Sequence, residues 1–260
     1  MVARRLPVAR REFGRRATAA AWFDGGVTEA PPAAARRIPD GKLAGWALLV
    51  LALAGLSYLA NALANADSGD IPDDLLYRWS TAVAAVIQYA LILAVVLWIA
   101  RGLDRGALGL VRPGSWPRAA GLVVVGFLVT AAAAVALNPV LEAGKEQGLV
   151  PDEWDPSRAA PFVANFAVVT IVAPVVEELT YRGLGVAVVR DRFGAAVAVA
   201  VTGVAFGLAH GLLVALPILT LFGVVLAVVR LRTQSLYPAI ALHAVFNGLS
   251  LLGAVLEVGS

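Results

Sequence analysis

Residues 159–192 read AAPFVANFAVVTIVAPVVEELTYRGLGVAVVRDR. Positions 159–176 carry no charge and reach the roughly 18 residues that let a helix cross the hydrocarbon core of a bilayer. Glu177, Glu178 and Arg182 follow at once, and the apolar character resumes before Arg190, Asp191 and Arg192. An ionisable group at hydrocarbon depth costs at least about 2.5 kcal/mol, so three of them inside one apolar helix mark a functional site by default.

Outward from this stretch the same pattern repeats. Apolar runs occupy 43–60, 79–100, 119–137 and 236–256, and 194–229 is uncharged throughout apart from His210. That last run is too long for one crossing at 1.5 Å per residue, and Gly211 and Pro217 offer a break, so it reads as two short helices. Hydrophobic residues make up 60% of the 260-residue chain and charged residues 15%, well under the roughly 25% of a soluble domain. The expected fold is all-α: a polytopic transmembrane bundle of about seven spans at 41–260, preceded by a basic, disordered arm at 1–40.

Loop charge sets the expected orientation. Asp67, Asp70, Asp73 and Asp74 follow the first span, and Glu142, Glu146, Asp152, Glu153 and Asp155 follow the third. Arg101, Arg105, Arg112 and Arg118 follow the second, Arg190 and Arg192 the fourth, and Arg230 and Arg232 the sixth. The positive-inside rule then puts the N-terminus and the arginine loops in the cytoplasm, with the chain in the plasma membrane. The arm, with Arg4, Arg5, Arg10, Arg11, Arg15, Arg16, Arg36 and Arg37, suits anionic headgroups. Arg10-Arg11 is no export signal, because no apolar region follows it. The Arg-over-Lys bias and the abundance of Ala and Val suggest a bacterial host.

Several chemistries are excluded. There are 0 cysteines, so thiolate chemistry is absent, and no phosphate-cradling or H-E-x-x-H pattern occurs. The basic residues sit at span ends, a topology signal, so no nucleic-acid partner is expected.

The polar residues converge in depth. Counting from the basic ends at 1.5 Å per residue puts Glu177 at roughly 20 Å, His210 at roughly 25 Å, and His243 and Asn247 at roughly 16 and 22 Å. The helix from 159 to 190 would be about 47 Å long, so it should tilt, kink near Pro174 or turn along the interface near Gly183 and Gly185. Glu178 and Arg182 are four apart and can pair, which leaves Glu177 over. His243 and Asn247 are also four apart on one face, and Phe206 stands one turn from His210. Cleaving an amide needs a base to activate water and donors for the oxygen that becomes negative. Glu177 hydrogen-bonded with His210 can supply the first, and His243 with Asn247 the second.

At these residues the chain resembles the CPBP family of intramembrane endopeptidases, which includes the type II CAAX prenyl endopeptidases and bacteriocin-processing proteins. The family's E-E-x-x-x-R, F-x-x-x-H and H-x-x-x-[NB] motifs match Glu177–Arg182, Phe206–His210 and His243–Asn247 in order, within 160–252. The resemblance implies a glutamate- and histidine-dependent peptidase acting on a membrane-associated or lipidated protein or peptide, with Glu177, Glu178, Arg182, His210, His243 and Asn247 at its site. No cofactor is expected; the alternative is zinc held by Glu177, His210 and His243. A non-catalytic partner or immunity protein on the same scaffold, and a proton-coupled transporter, are the other classes, though no internal repeat supports the latter.

Overall fold

The computed structural model describes residues 37–66, 74–141 and 154–258, and among them every regular element is helical. Helix α1 spans Asp40–Ala66, α2 Trp79–Ile99, α3 Trp116–Leu141, α4 the composite rod Pro156–Phe193, α5 Ala195–Ala209, α6 Leu216–Thr233 and α7 Tyr237–Val258. Helices α1, α2, α3, α4 and α6 are long and apolar enough to cross a membrane, while α5 and the Tyr237–Gly253 part of α7 are shorter apolar stretches. The protein is a multi-pass membrane protein built as an all-α bundle of about seven spans. Residues 1–36, and with them most of the expected arm, lie outside the described residues, as do the acidic positions Asp67, Asp70, Asp73, Glu142, Glu146, Asp152 and Glu153.

The break between α5 and α6 falls where Gly211 and Pro217 suggested. Gly211 has φ 70°, a left-handed conformation that suits glycine, and Pro217 sits in the first turn of α6, where its missing N–H would have no helical acceptor anyway. The overlong fourth helix is not interrupted. It continues to Phe193 through two π-helical stretches, Val168–Val172 and Leu179–Gly185, which flank the α-helical Ala173–Glu178. Pro174 accounts for the first of them. It has no N–H to give and its ring crowds the preceding turn; widening that turn moves the Ala173 N–H onto the Val168 carbonyl.

Helices α5 and α6 pack as a pair at the centre, and α3 lies against α6 and α7, α1 against α5, and α2 against α4. At the α5–α6 crossing the backbones touch, since a Cβ on Gly223 would stand 2.7 Å from the Gly203 carbonyl oxygen. Lipid tails are as apolar as leucine, so such close small-residue contact is what holds membrane helices together. Val96, Leu184, Phe206, Phe222, Leu226 and Leu242 form the core. The outer faces of α1 to α3 present Leu48, Leu51, Leu91 and Val124.

The ends of the bundle differ in charge. At one end Lys42 Nζ donates to the carbonyls of Ile99 and Arg101 at 2.6 and 2.5 Å, Arg230 Nη2 donates to Ala107 O at 3.1 Å, and the Leu236 N–H donates to Gly109 O at 2.7 Å. These contacts join the start of α1, the α2–α3 loop and the α6–α7 turn into one basic surface. At the other end Arg158 bridges Asp74 and Asp155 at 3.2 and 2.6 Å and lies over the ring of Tyr77, which in turn meets Trp154. The Asp155 carboxyl is held down to about 2 by hydrogen bonds from Ser157 and Arg158, and Asp74 is lowered by its bond from Arg78.

Candidate active site

Helices α4, α5 and α7 bring the sequence-flagged side chains together from positions up to seventy residues apart in the chain. Glu178 and Arg182 are fully buried and pair at 2.9 Å, as their spacing suggested. Glu178 Oε1 also lies 2.9 Å from His243 Nδ1. A carboxylate paired to arginine only accepts, so Nδ1 carries a proton and the Nε2 of a neutral His243 is an acceptor. Arg182 is tied further: Nη2 donates to Gly223 O at 2.8 Å, and its guanidinium carbon lies 4.5 Å from the centre of the Phe206 ring. The close α5–α6 crossing is what puts that carbonyl within reach.

Glu177 has a different environment. With Glu178 neutralised by Arg182, Glu177 is the carboxylate left over. Its Oε1 accepts from the Tyr89 hydroxyl at 2.7 Å, while Oε2 is buried, has no hydrogen-bond partner in the protein, and lies 3.7 Å from His243 Nε2. Glu177 and His210 line one cleft of about 230 Å³, together with Leu53 and Ser57 of α1 and Gln88, Tyr89 and Ile92 of α2. The direct Glu177–His210 hydrogen bond suggested from sequence is not made: Tyr89 holds Glu177, and His210 Nδ1 lies 2.8 Å from Phe206 O. A carbonyl only accepts, so His210 Nδ1 is the protonated nitrogen of the neutral ring and Nε2 is free to accept. Phe206 packs edge-on against both histidines, at 4.6 Å from His210 and 5.5 Å from His243.

Asn247 sits one turn beyond His243, and its Nδ2 donates to Val169 O at 3.1 Å. The π-helical stretch explains why that carbonyl is open. Its α-helical donor, the Ala173 N–H, is given to Val168, and its π-helical donor would be Pro174, which has none. One proline thus prepares the acceptor that fixes Asn247, and the second Nδ2 hydrogen remains available.

Helices α1 and α2 add residues to which no chemistry had been assigned. Ser57 Oγ donates to Ala209 O at 2.7 Å and Asn61 Nδ2 to Gly211 O at 2.9 Å, so α1 grips the backbone on both sides of His210. Tyr89 was missed altogether. The available signal was a hydroxyl in the middle of α2, far from the interfacial levels where membrane tyrosines usually lie. Among the described residues no three His, Asp or Glu side chains, the alternative set of Glu177, His210 and His243 included, are drawn into a group able to hold a metal ion.

Residues 159–249 match the family model described as type II CAAX prenyl endopeptidase Rce1-like. This segment is Rce1-like. The match agrees with the resemblance read from the motifs, and it takes in Glu177, Glu178, Arg182, His210, His243 and Asn247. The Rce1-like family is one of membrane-embedded proteases, so the match supports a peptidase. Helices α1 to α3, with Ser57, Asn61 and Tyr89, lie outside the Rce1-like segment. No curated protein and no solved structure matches the chain.

Proposed function

We propose that this protein is an intramembrane endopeptidase that hydrolyses peptide bonds in a membrane-associated or lipidated protein or peptide. The observation that carries the reading is the unequal treatment of two adjacent glutamates. Each has one oxygen without a hydrogen-bond partner, but Glu178 is fully buried and spent through Oε1 on Arg182 and His243, whereas Glu177 has no ion pair with arginine and lines the cleft it shares with His210.

In this reading Glu177, with His210 Nε2 as the second acceptor, takes a proton from water as the water oxygen attacks the scissile carbonyl carbon. The carbonyl oxygen becomes negative and receives hydrogen bonds from Asn247 and from His243, which donates through Nε2 only as the imidazolium. Collapse breaks the C–N bond, and the proton held by Glu177 passes to the departing amine. Glu178 and Arg182 hold His243 in place. Every role falls to a side chain, so hydrolysis should survive removal of metal: protein stripped with a strong chelator should keep its rate, and activity that vanished and returned with stoichiometric zinc would refute the metal-free mechanism.

The membrane is the plasma membrane, with the basic end of the bundle in the cytoplasm. Because the chain has no cysteine, single cysteines can be placed at Ala17, Ser68, Ser115 and Gly148 and labelled with an impermeant thiol reagent in intact cells. Positions 68 and 148 should react and 17 and 115 should not; labelling of 17 from outside would reverse the orientation. The activity is tested by comparing membrane peptides from cells making the wild type or Glu177→Gln, alongside purified protein on one fluorogenic peptide with and without a farnesyl group. Fragments absent with Glu177→Gln identify a substrate, and identical profiles with no cleavage of either peptide would leave the scaffold as a non-catalytic partner.

A further inference from the structure

We propose that Tyr89 is a positioning residue for the base: its phenol fixes Glu177 Oε1, so that Oε2 is the atom that takes the proton from water. The proposal rests on the reading of Glu177 as base and adds a contributor from outside the Rce1-like segment.

Within α2 the only polar side chains beyond the first turn are Gln88 and Tyr89. Tyr89 lies ten residues into the helix, about 15 Å from its start at 1.5 Å per residue, where lipid offers a hydroxyl no partner. A buried tyrosine hydroxyl takes a hydrogen-bond partner, and this one takes Glu177 at 2.7 Å, a distance typical of a bond to a charged acceptor. The carboxylate of an otherwise mobile side chain is thereby held at one oxygen. The other oxygen is buried without a protein partner, 3.7 Å from His243 Nε2, on a side chain that lines the cleft with His210. A carboxylate free to rotate would divide its time between orientations, only some of which face the water to be activated. The lining of the cleft by Tyr89 and Gln88 also means that α2 is a wall of the space where the reaction occurs.

A mere strap between α2 and α4 would hold the fold without affecting the chemical step, and the two roles separate in kinetics. The assay uses purified full-length protein and whichever of the farnesylated and unmodified fluorogenic peptides it cleaves. Tyr89→Phe keeps the ring and removes the donor; kcat should fall about 10- to 100-fold with KM within about 2-fold of wild type. Replacing Tyr89 by 2-fluorotyrosine and 3-fluorotyrosine varies the donor strength at nearly constant shape, and kcat should change progressively along the series. Unchanged kcat in Tyr89→Phe, or a series flat in kcat, overturns the proposal.

A readout independent of turnover keeps this outcome apart from failure of the peptidase reading. The fluorine resonance of 3-fluorotyrosine at position 89 should move on Glu177→Gln and move much less on Glu178→Gln. If neither peptide is cleaved by the wild type, the function falls and takes the base-positioning role with it. If the wild type cleaves but the resonance ignores Glu177→Gln, the Tyr89 proposal alone falls.

Discussion

The bundle has two halves that treat polar groups in opposite ways. In the windows that define the spans, 44% of residues are buried in α4 and in α6, against 11% in α1, 17% in α2 and 11% in α3. The buried half encloses Glu178, Arg182 and His243, groups too costly to leave facing lipid. The lipid-facing half carries very few polar side chains, and Trp46, Ser57, Asn61 and Tyr89 all reach α4 or the turn after α5: the Trp46 indole donates to Thr180 O at 3.0 Å, beside the other three contacts. Hydrophobic attraction cannot dock an apolar helix out of lipid onto a bundle, so hydrogen bonds and close packing must do it. Helices α1 and α2 are therefore attached at the groups around the site, and attaching them also shapes it.

The sharpest break between the halves should come from Glu177→Gln. It should reduce cleavage by more than about 100-fold, because it removes the base, while the Tm of the detergent-solubilised protein stays near wild type. Equal loss of fold in Glu177→Gln, Glu178→Ala and Arg182→Ala would instead make the whole cluster structural. Next comes Arg182→Ala, which strands a fully buried Glu178 carboxylate and should destabilise the protein by roughly 3–5 kcal/mol in reversible unfolding. A change under 1 kcal/mol would mean that Arg182, through Glu178 and through its bond to Gly223 O on α6, contributes little to holding the fold.

Asn61→Leu tests the outer half. Membrane hydrogen bonds average about 0.6 kcal/mol, so the loss of stability should be small while kcat falls several-fold, since the lost bond holds the turn that follows His210. A loss confined to stability would reduce α1 to packing. The smallest effect belongs to the far end. Asp155 has a folded value of about 2, below the roughly 3.9 of an unfolded aspartate, so its contribution is present above about pH 4 and disappears as pH falls through 2. The slight Tm difference between wild type and Asp155→Asn should be constant from pH 5 to 8 and close below pH 4, with cleavage at neutral pH unaffected.

Much of this was legible because bilayers impose lengths. The seven apolar runs, the split of 194–229 at Gly211 and Pro217, and the pairing of Glu178 with Arg182 all follow from span length and helical spacing. The depth count put Glu177 and His243 at similar levels, and they lie 3.7 Å apart, whereas the contact of Glu178 with His243 was not foreseen. Tyr89 was not legible, because a single hydroxyl in an apolar helix gives no clue to the face it occupies or the neighbour it meets. The hydrogen bond of His210 to its own helix was hidden for the opposite reason: Phe206 O is a local acceptor that competes with any distant partner, and spacing alone cannot say which wins. The π-helical stretches fall where a kink near Pro174 or a turn near Gly183 and Gly185 was expected, but their form was not foreseen, since a shift of hydrogen-bond partner leaves little trace in composition.

Those two stretches set the angular phase of α4. An extra residue in a turn sets everything after it back by about 100° around the helix axis relative to an uninterrupted α-helix. Val168–Val172 therefore decides the azimuth at which Glu177 and Glu178 leave the rod, and Leu179–Gly185 sets that of the residues beyond Arg182 without disturbing it. Closing Val168–Val172 to an α-helical turn at constant chain length, as Pro174→Ala would favour, would leave the composition of the rod apolar there and its charge unchanged, yet it would turn Glu177 and Glu178 away from α7 while Phe162 and Asn165 kept their places at the far end. For this rod rotational registry is a quantity separate from hydrophobic length, and it is held in the backbone rather than in any of the motif side chains.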